Sequence, residues 1–236
     1  MYFKSRTEAG KILAEEIVKK YQSQHCAVVA LSDGAVMVGA QIAMKLHCVL
    51  TMLQTNAIQL PRENAAVGGI SSDGSFTYNS AYSPGQIEDF ISEYRTFIEQ
   101  EKMTKMQEMH HGTGGGTLIR KSLLRNKTVI LVSDGLSNGF SLDLAQEYLK
   151  PIKTHKIVVA TPFASVPAVD RMHVLADEIF CLSVIEDYMT TDHYYETQDV
   201  PSHESVVRAV EEIVTHWKQK EARATQDTVA NAQRPQ

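Results

Sequence analysis

Short apolar runs rich in β-branched residues, each leading into a polar or glycine-punctuated break, constrain this chain more than any other feature. They are CAVVALS (26–32), CVLTMLQ (48–54), TVILV (128–132), KIVVATP (156–162) and EIFCLSV (178–184). A continuous apolar run, as opposed to an alternating one, predicts a strand buried on both faces. Helical patterns fall between them. Ser5-x-x-Glu8 is a capping box ahead of Ile12, Leu13, Ile17, Val18 and Tyr21 at helical spacing. Further helices are predicted from about Val36 to Leu46, up to about Tyr148, over VPAVDRMHVLA, and from Pro201-Ser202 through Val206, Val207, Val210, Ile213, Val214 and Trp217. The alternation predicts an α/β, doubly wound, mainly parallel sheet with helices on both faces.

One stretch interrupts the pattern. AAVGGISSDGSFTYN (65–79) places Asp73-Gly74 between two apolar runs, a hairpin signal, and Ser83-Pro84-Gly85-Gln86 opens a long charged helix to about Met109. These add a small subdomain, about 58–122, within a single domain spanning 1–217. The tail, 218–236, is polar and predicted to be disordered.

With 43% hydrophobic and 22% charged residues over 236 positions, the composition is that of an ordinary globular protein. A net charge of -5 and a pI near 6.0 argue against a nucleic-acid partner. No signal peptide or long apolar run occurs, which predicts a cytoplasmic chain with no membrane partner. Cys26, Cys48 and Cys181 sit in or beside apolar runs without C-x-x-C spacing and read as buried thiols, and no metal site is legible.

In open α/β sheets ligands bind beyond the carboxyl ends of the strands. Three loops qualify: 32–35, 133–139 and 161–165. The second lies in VILVSDGLSNGFSL (129–142), which has three readings. Gly135 and Gly139 leave the backbone free to wrap a phosphate, with Ser137, Asn138 and Ser141 as further donors, the helix N-terminus behind them, and Asp134 for sugar hydroxyls. Gly135-Leu136-Ser137-Asn138-Gly139 also has the G-x-S-x-G form of a serine hydrolase. Asp177 or Asp187 and His193 or His203 would then follow in order, and His111 to Gly116 would resemble an oxyanion sequence. Against this, Ser137 lies late, five residues past Val132. The third reading is a plain turn with Asp134 or Ser137 as N-cap.

The same stretch resembles the 5-phosphoribosyl-1-pyrophosphate (PRPP) motif of type I phosphoribosyltransferases in the form VILVDDGLATGAT. The resemblance extends to about residue 215. VVALSDGAVMVGAQIA is similar to the segment VVALPRGGVPVAAEIA, FKSRTEAGKILAEEI to the N-terminal helix, and ENAAVGGISSDGSFTYN to the hairpin. KIVVATPFASVPAV, ADEIFCL and Tyr194-Tyr195 are similar to the later elements. The resemblance implies PRPP held with Mg²⁺, attack of a nitrogenous base on the anomeric carbon and departure of pyrophosphate. It implies catalytic duty for Asp134. Ser133, Asp134, Gly135, Leu136, Ser137, Asn138, Gly139, Phe140 and Ser141 would hold phosphate and ribose, and Ser32, Asp33, Gly34 and Ala35 the pyrophosphate. The long helix and HHGTGGG (110–116) take the place of a mobile hood.

Several positions depart from that pattern. Ser133 replaces the first of two acids. Asn138 and Ser141 replace threonines but still donate hydrogen bonds, and Phe140 replaces a small residue, bulk that would crowd the cradle. Ala35 replaces a glycine. Asp33 falls where the family often has Arg, and an acid facing a diphosphate costs several kcal/mol at an effective dielectric of about 20. No Arg or Lys occurs from Ala27 to Met44; compensating cations would come from Arg62, Lys105, Arg120 or Lys121.

Two functions follow: an active phosphoribosyltransferase of unspecified base acting on a phosphorylated ribose, or a catalytically inactive binding or regulatory protein of that fold that takes a nucleotide, a sugar phosphate or a partner protein through the cradle. A homodimer is left open. His110 and His111 read as an exposed loop pair, His25 and His47 as edge residues, and Asp177-Glu178 as structural. Tyr188, Tyr194 and Tyr195 read as core.

Overall fold

The computed structural model describes residues 2–61, 63, 65–112 and 121–215, with the backbone alone for 110–112. Arg62, Arg120, most of the glycine tract, Trp217 and the tail from 218 lie outside the described residues, as do the side chains of His110 and His111.

Five parallel strands form the main sheet in the order β2-β1-β6-β7-β8. They are β1 (Cys26–Ala30), β2 (Val49–Met52), β6 (Thr128–Val132), β7 (Lys156–Ser165) and β8 (Glu178–Ile185). Every residue of β1, β2 and β6 is buried, which is why these segments read as unbroken apolar runs. The covering helices are α1 (Arg6–Tyr21), α2 (Asp33–Leu46), α5 (Phe140–Leu149), α6 (Val166–Leu175) and α7 (203–215). α7 buries Val206, Val207, Val210 and Val214 in the same core as the sheet. Among the described residues no helix is long and apolar enough to cross a membrane.

The remaining strands make a separate antiparallel sheet, β3-β4-β5, from β3 (Thr55–Ile58), β4 (Gly68–Ser71) and β5 (Phe76–Tyr78). β4 and β5 are the hairpin anticipated around Asp73-Gly74. β3 carries no strong strand pattern and owes its state to pairing with β4. α3 (Pro84–Gly112) packs on this sheet through Ile98 and is interrupted at Tyr94 (φ -116°, ψ 17°). Its first turn shows the reciprocal cap read from Ser83 and Gln86, each side chain bonding the other's backbone N–H at 3.4 and 2.9 Å. A short helix, α4 (Lys121–Leu124), leads back to β6.

Two of the three expected ligand loops are not loops. α2 starts at Asp33, not near Val36, so residues 33–35 are its first turn and Ser32 its N-cap. β7 runs on through Ser165, so 161–165 is strand: Leu136 comes alongside Ala164 as a parallel bridge and extends the ladder past Pro162. All three cysteines are free, Cys26 and Cys48 buried and Cys181 half-buried.

Candidate functional site

From β1 the chain crosses to β2 on one side, and from β6 to β7 on the other. Their adjacent carboxyl ends, Ala30 beside Val132, are therefore the point where strand order reverses. Ser32 and Asp134 stand just beyond those ends. In extended conformation (φ -157°, ψ 168°), Ser32 turns its Oγ to accept from Ala35 N–H at 3.0 Å and donate to Asp134 Oδ1 at 2.7 Å. The other oxygen, Asp134 Oδ2, accepts from Arg6 Nε at 2.7 Å, and the Asp134 carbonyl accepts from the Tyr195 hydroxyl at 2.6 Å.

Arg6, the first residue of α1, is the hub of the site and is only 2% exposed. Its guanidinium lies 4.4 Å from the centre of the Tyr195 ring and bonds Asp192 through Nη2 at 2.5 Å. Nη1 is 3.9 Å from Asp199 and makes no hydrogen bond. Burial works against this charge, but the bonds to Asp134 and Asp192 outweigh it and raise the guanidinium above its ordinary value. Glycine is required at position 34, where a Cβ would stand 2.0 Å from Asp134 Oδ2 and 2.6 Å from Arg6 Nε.

Of the four cations expected beside the site, the two that are described each stand in an ion pair. Lys105 pairs with Glu108 and Lys121 with Asp73, while Arg62 and Arg120 lie outside the described residues. The cation present is Arg6, which no local pattern singles out, because its role depends on where α1 docks. Asp33 does not stand alone either: both its oxygens lie 2.9 Å from His203 Nδ1, at the start of α7. His203 Nε2 lies 3.3 Å from Gln54 Nε2, on the exit from β2.

The 133–141 loop is held from several sides. Ser133 Oγ accepts from Gly135 N–H at 3.2 Å and donates to Gly135 C=O at 3.0 Å, so the serine in the first acid's place closes the loop on itself. Leu136 is clipped to β7, its N–H to Phe163 C=O and its C=O from Ser165 N–H. Ser165 Oγ donates to Ser137 C=O at 2.6 Å while capping α6 through Ala168 N–H. Asn138 Oδ1 accepts from Phe140 N–H at 3.0 Å. Gly139 has φ +74°, with no room for a Cβ against Arg171. Phe140 is 8% exposed, buried in the first turn of α5.

Four backbone N–H groups in this turn, those of Ser137, Asn138, Gly139 and Ser141, have no acceptor among the described residues. Ser137 and Asn138 are exposed. Four donors grouped at the N-terminus of a ten-residue helix are an anion-binding arrangement. The hydrolase arrangement is not assembled: Ser137 bonds neither histidine, since His203 is held by Asp33 and His193 lies 3.0 Å from the Tyr2 hydroxyl. Asp177 accepts from Ile157 N–H and Glu178 binds Lys20, Tyr21 and Lys156, structural roles as anticipated. Tyr194 and Tyr195 are packed with Phe3 and Phe163, as expected of core residues, and Tyr195 also reaches the site.

The Mg²⁺ implied by the resemblance can be tested on the side chains themselves. Among the described residues no three of His, Cys, Asp or Glu converge on a point where a metal could sit. Asp134, the remaining acid of the family's pair, has each oxygen engaged by another side chain. These residues do not fit a protein-held Mg²⁺.

Known proteins bear on this geometry. Residues 4–204 match the model of the phosphoribosyl transferase domain. Proteins from two Mycobacterium tuberculosis strains, provisionally named phosphoribosyl transferases, are 23% identical over 206 residues. That match covers 87% of this chain but only 45% of theirs, so the chain spans about half their length. The crystal structure of TT1426 from Thermus thermophilus superposes with a TM-score of 0.67 at 22% identity, covering 90% of this chain and 99% of that one. A Staphylococcus aureus hypoxanthine phosphoribosyltransferase is more distant, with a TM-score of 0.45 at 13% identity over 79% and 78% of the two chains. With four-fifths of its length inside the family model and the fold shared with TT1426, the chain belongs to the phosphoribosyl transferase domain family.

Proposed function

We propose that this protein binds the 5-phosphate of a phosphorylated ribose in the turn formed by Ser137 to Ser141, and that it holds this ligand without transferring phosphoribosyl. The four unpartnered N–H groups support the binding half, since they cluster at the N-terminus of α5, where an anion is favoured. The observation that carries the second half is Asp134. A carboxylate that is to orient ribose hydroxyls must have oxygens to accept them, and here Arg6 takes one and Ser32 the other. Ser133 supplies no second carboxylate. Transfer relies on orientation and on stabilising the departing diphosphate, and neither is provided where Asp134 is sequestered.

A second reading is favoured by one observation. Asp192 and Asp199 flank the guanidinium and could receive Arg6 if it swung off Asp134, which would free the acid for a sugar.

Incubating the protein with PRPP, Mg²⁺ and a panel of purine and pyrimidine bases, and following pyrophosphate, separates the two. The proposal expects no base-dependent pyrophosphate above background. Multiple turnovers with any base overturn it and establish transfer.

A further inference from the structure

The molecule carries three thiols that take no part in the cradle, and the main sheet brings two of them together. Cys26 opens β1, and Cys48 stands one residue before β2. Ala27 pairs with Val49 at the start of the β1–β2 ladder, so one step back along both strands Cys26 lies opposite Cys48. Register partners on neighbouring parallel strands turn their side chains to the same face, about 4.8 Å apart. A disulfide spans Cα atoms about 4.4–6.8 Å apart, so this register already lies within its range. Both side chains belong to the same buried cluster, at 5% and 9% exposure.

Their place at the end of the ladder favours closure. A bridge draws the two Cβ atoms together to about 3.8 Å, and in mid-sheet the hydrogen bonds on either side would resist that. Here the β1–β2 ladder begins only at Ala27 and Val49, and Cys48 follows His47, the residue that ends α2 with φ 51°. Cys181 cannot replace either thiol. It lies on β8, three strands from β1, at least about 15 Å away at the usual strand spacing, and its thiol donates to Ser183 C=O at 3.2 Å. The neighbouring His25 and His47 do not make the pair a metal site, because among the described residues no three of His, Cys, Asp or Glu converge. Burial pushes the Cys26 thiol up to about 11 and, with the nearby Cys26 thiol adding to burial, Cys48 up to about 12. Both rest as thiols near neutral pH, which slows oxidation without forbidding it.

We propose that Cys26 and Cys48 form a reversible dithiol–disulfide pair, oxidised by small disulfides, whose bridge staples the entry of β1 to the entry of β2 in the native register. One protein sulfur attacks a sulfur of the small disulfide and releases half of it; the second protein sulfur then displaces the other half. Two electrons pass from the protein thiols to the small disulfide, whose halves leave as two thiols carrying the two protons. The bridge closes a loop of roughly twenty residues containing α2, and such closure constrains the unfolded chain. It stands at the amino ends of the strands, opposite the 133–141 turn, so the inference is independent of the function proposed above.

The test is to incubate the full chain, and Cys181→Ala beside it, with excess 2-hydroxyethyl disulfide, then block remaining thiols with N-ethylmaleimide in denaturant and measure intact mass. Cys181→Ala removes the half-buried thiol that could take an adduct of its own. The expected product of that variant is a monomer that has lost two hydrogens and carries neither maleimide nor mercaptoethanol. Wild type and variant should both yield tryptic peptides joined through Cys26 and Cys48, and dithiothreitol should release them. The bridged chain is expected to melt at a higher temperature than the reduced one, and Cys48→Ala to show neither the joined peptides nor the gain. Thiols that still take maleimide after the incubation, lasting mercaptoethanol adducts on Cys26 and Cys48, or a bridge through Cys181 or between two chains overturn the inference. So does a bridged chain that melts below the reduced one, since the native register would then not accommodate the bond.

Discussion

At the scale of single residues the Arg6–Asp134 pair decides what the site can do. Both side chains are almost wholly out of water, at 3% and 10% exposure, so removing one partner leaves a buried charge uncompensated. Arg6→Met is therefore expected to lower unfolding stability by about 3–5 kcal/mol in urea titrations. Gly34→Ala should approach the same loss by a different route, since its methyl must displace Asp134 or Arg6. Asp192, on the same guanidinium, is 61% exposed, and Asp192→Asn should change stability by no more than about 1 kcal/mol. If Arg6→Met proved as mild as Asp192→Asn, the pair would not be the lock described here. None of this was visible in the chain's local patterns. Asp134 could be read as a site residue from its place after a strand, but its partner lies 128 positions away. His203 was legible only as the start of a helix, and its contact with Asp33 spans 170 positions. Pairings at such separations are set by how helices dock, which periodicity does not encode.

At the scale of elements, the ends of strands and helices tie the site to the core. Ser165 joins three of them: it ends β7, caps α6 and holds the Ser137 carbonyl. Ser165→Ala should cost about 1–2 kcal/mol of stability, as lost N-caps do, and should also weaken ribose 5-phosphate binding, because the cradle loses an anchor. A stability loss with unchanged binding would show that the cradle does not depend on α6. At the other end of the sheet, Glu178 opens β8 and accepts from Lys20, Tyr21 and Lys156, fastening β8 to α1 and β7. Burial pulls its carboxyl up, but those three donors prevail and hold it at about 2, below an ordinary 4.5. A depressed folded value means its stabilisation is complete above about pH 4.5 and is lost as pH falls toward 2. The stability of Glu178→Gln should fall less steeply than that of the wild type across that window. Elements were the most legible level of this chain. Strands buried on both faces announced themselves as unbroken apolar runs, and Asp73-Gly74 and the Ser83–Gln86 cap marked a turn and a helix start by local chemistry. What escaped was tertiary: β3 forms because β4 is beside it, and β7 outruns its apolar core because β8 pairs with it as far as Ser165 and Leu136 pairs with Ala164.

At the scale of the whole molecule, the parallel sheet supplies a reversal of strand order, and two groups of candidate site residues stand at it, one of backbone N–H groups and one of side chains. The first presents four N–H groups with no acceptor among the described residues, while the second has Asp33, His203 and an internal arginine where the resemblance implies a cation. The family and its sheet could be read from residue order, whereas the state of Asp134 required the docking of α1, β6 and the 187–199 segment together. A ligand that binds only the folded chain stabilises it by about 2.7 kcal/mol at a hundred times its dissociation constant, so cradle occupancy should also appear as a raised melting temperature. The most direct measurement is calorimetric titration of ribose 5-phosphate into the wild-type protein and Ser137→Glu, which places a carboxylate among the four N–H groups at an exposed position. Saturable binding to the wild type that Ser137→Glu abolishes, with the variant's unfolding stability unchanged, is the predicted result. Equal binding by both proteins, or none by the wild type, would contradict a phosphate cradle at Ser137–Ser141.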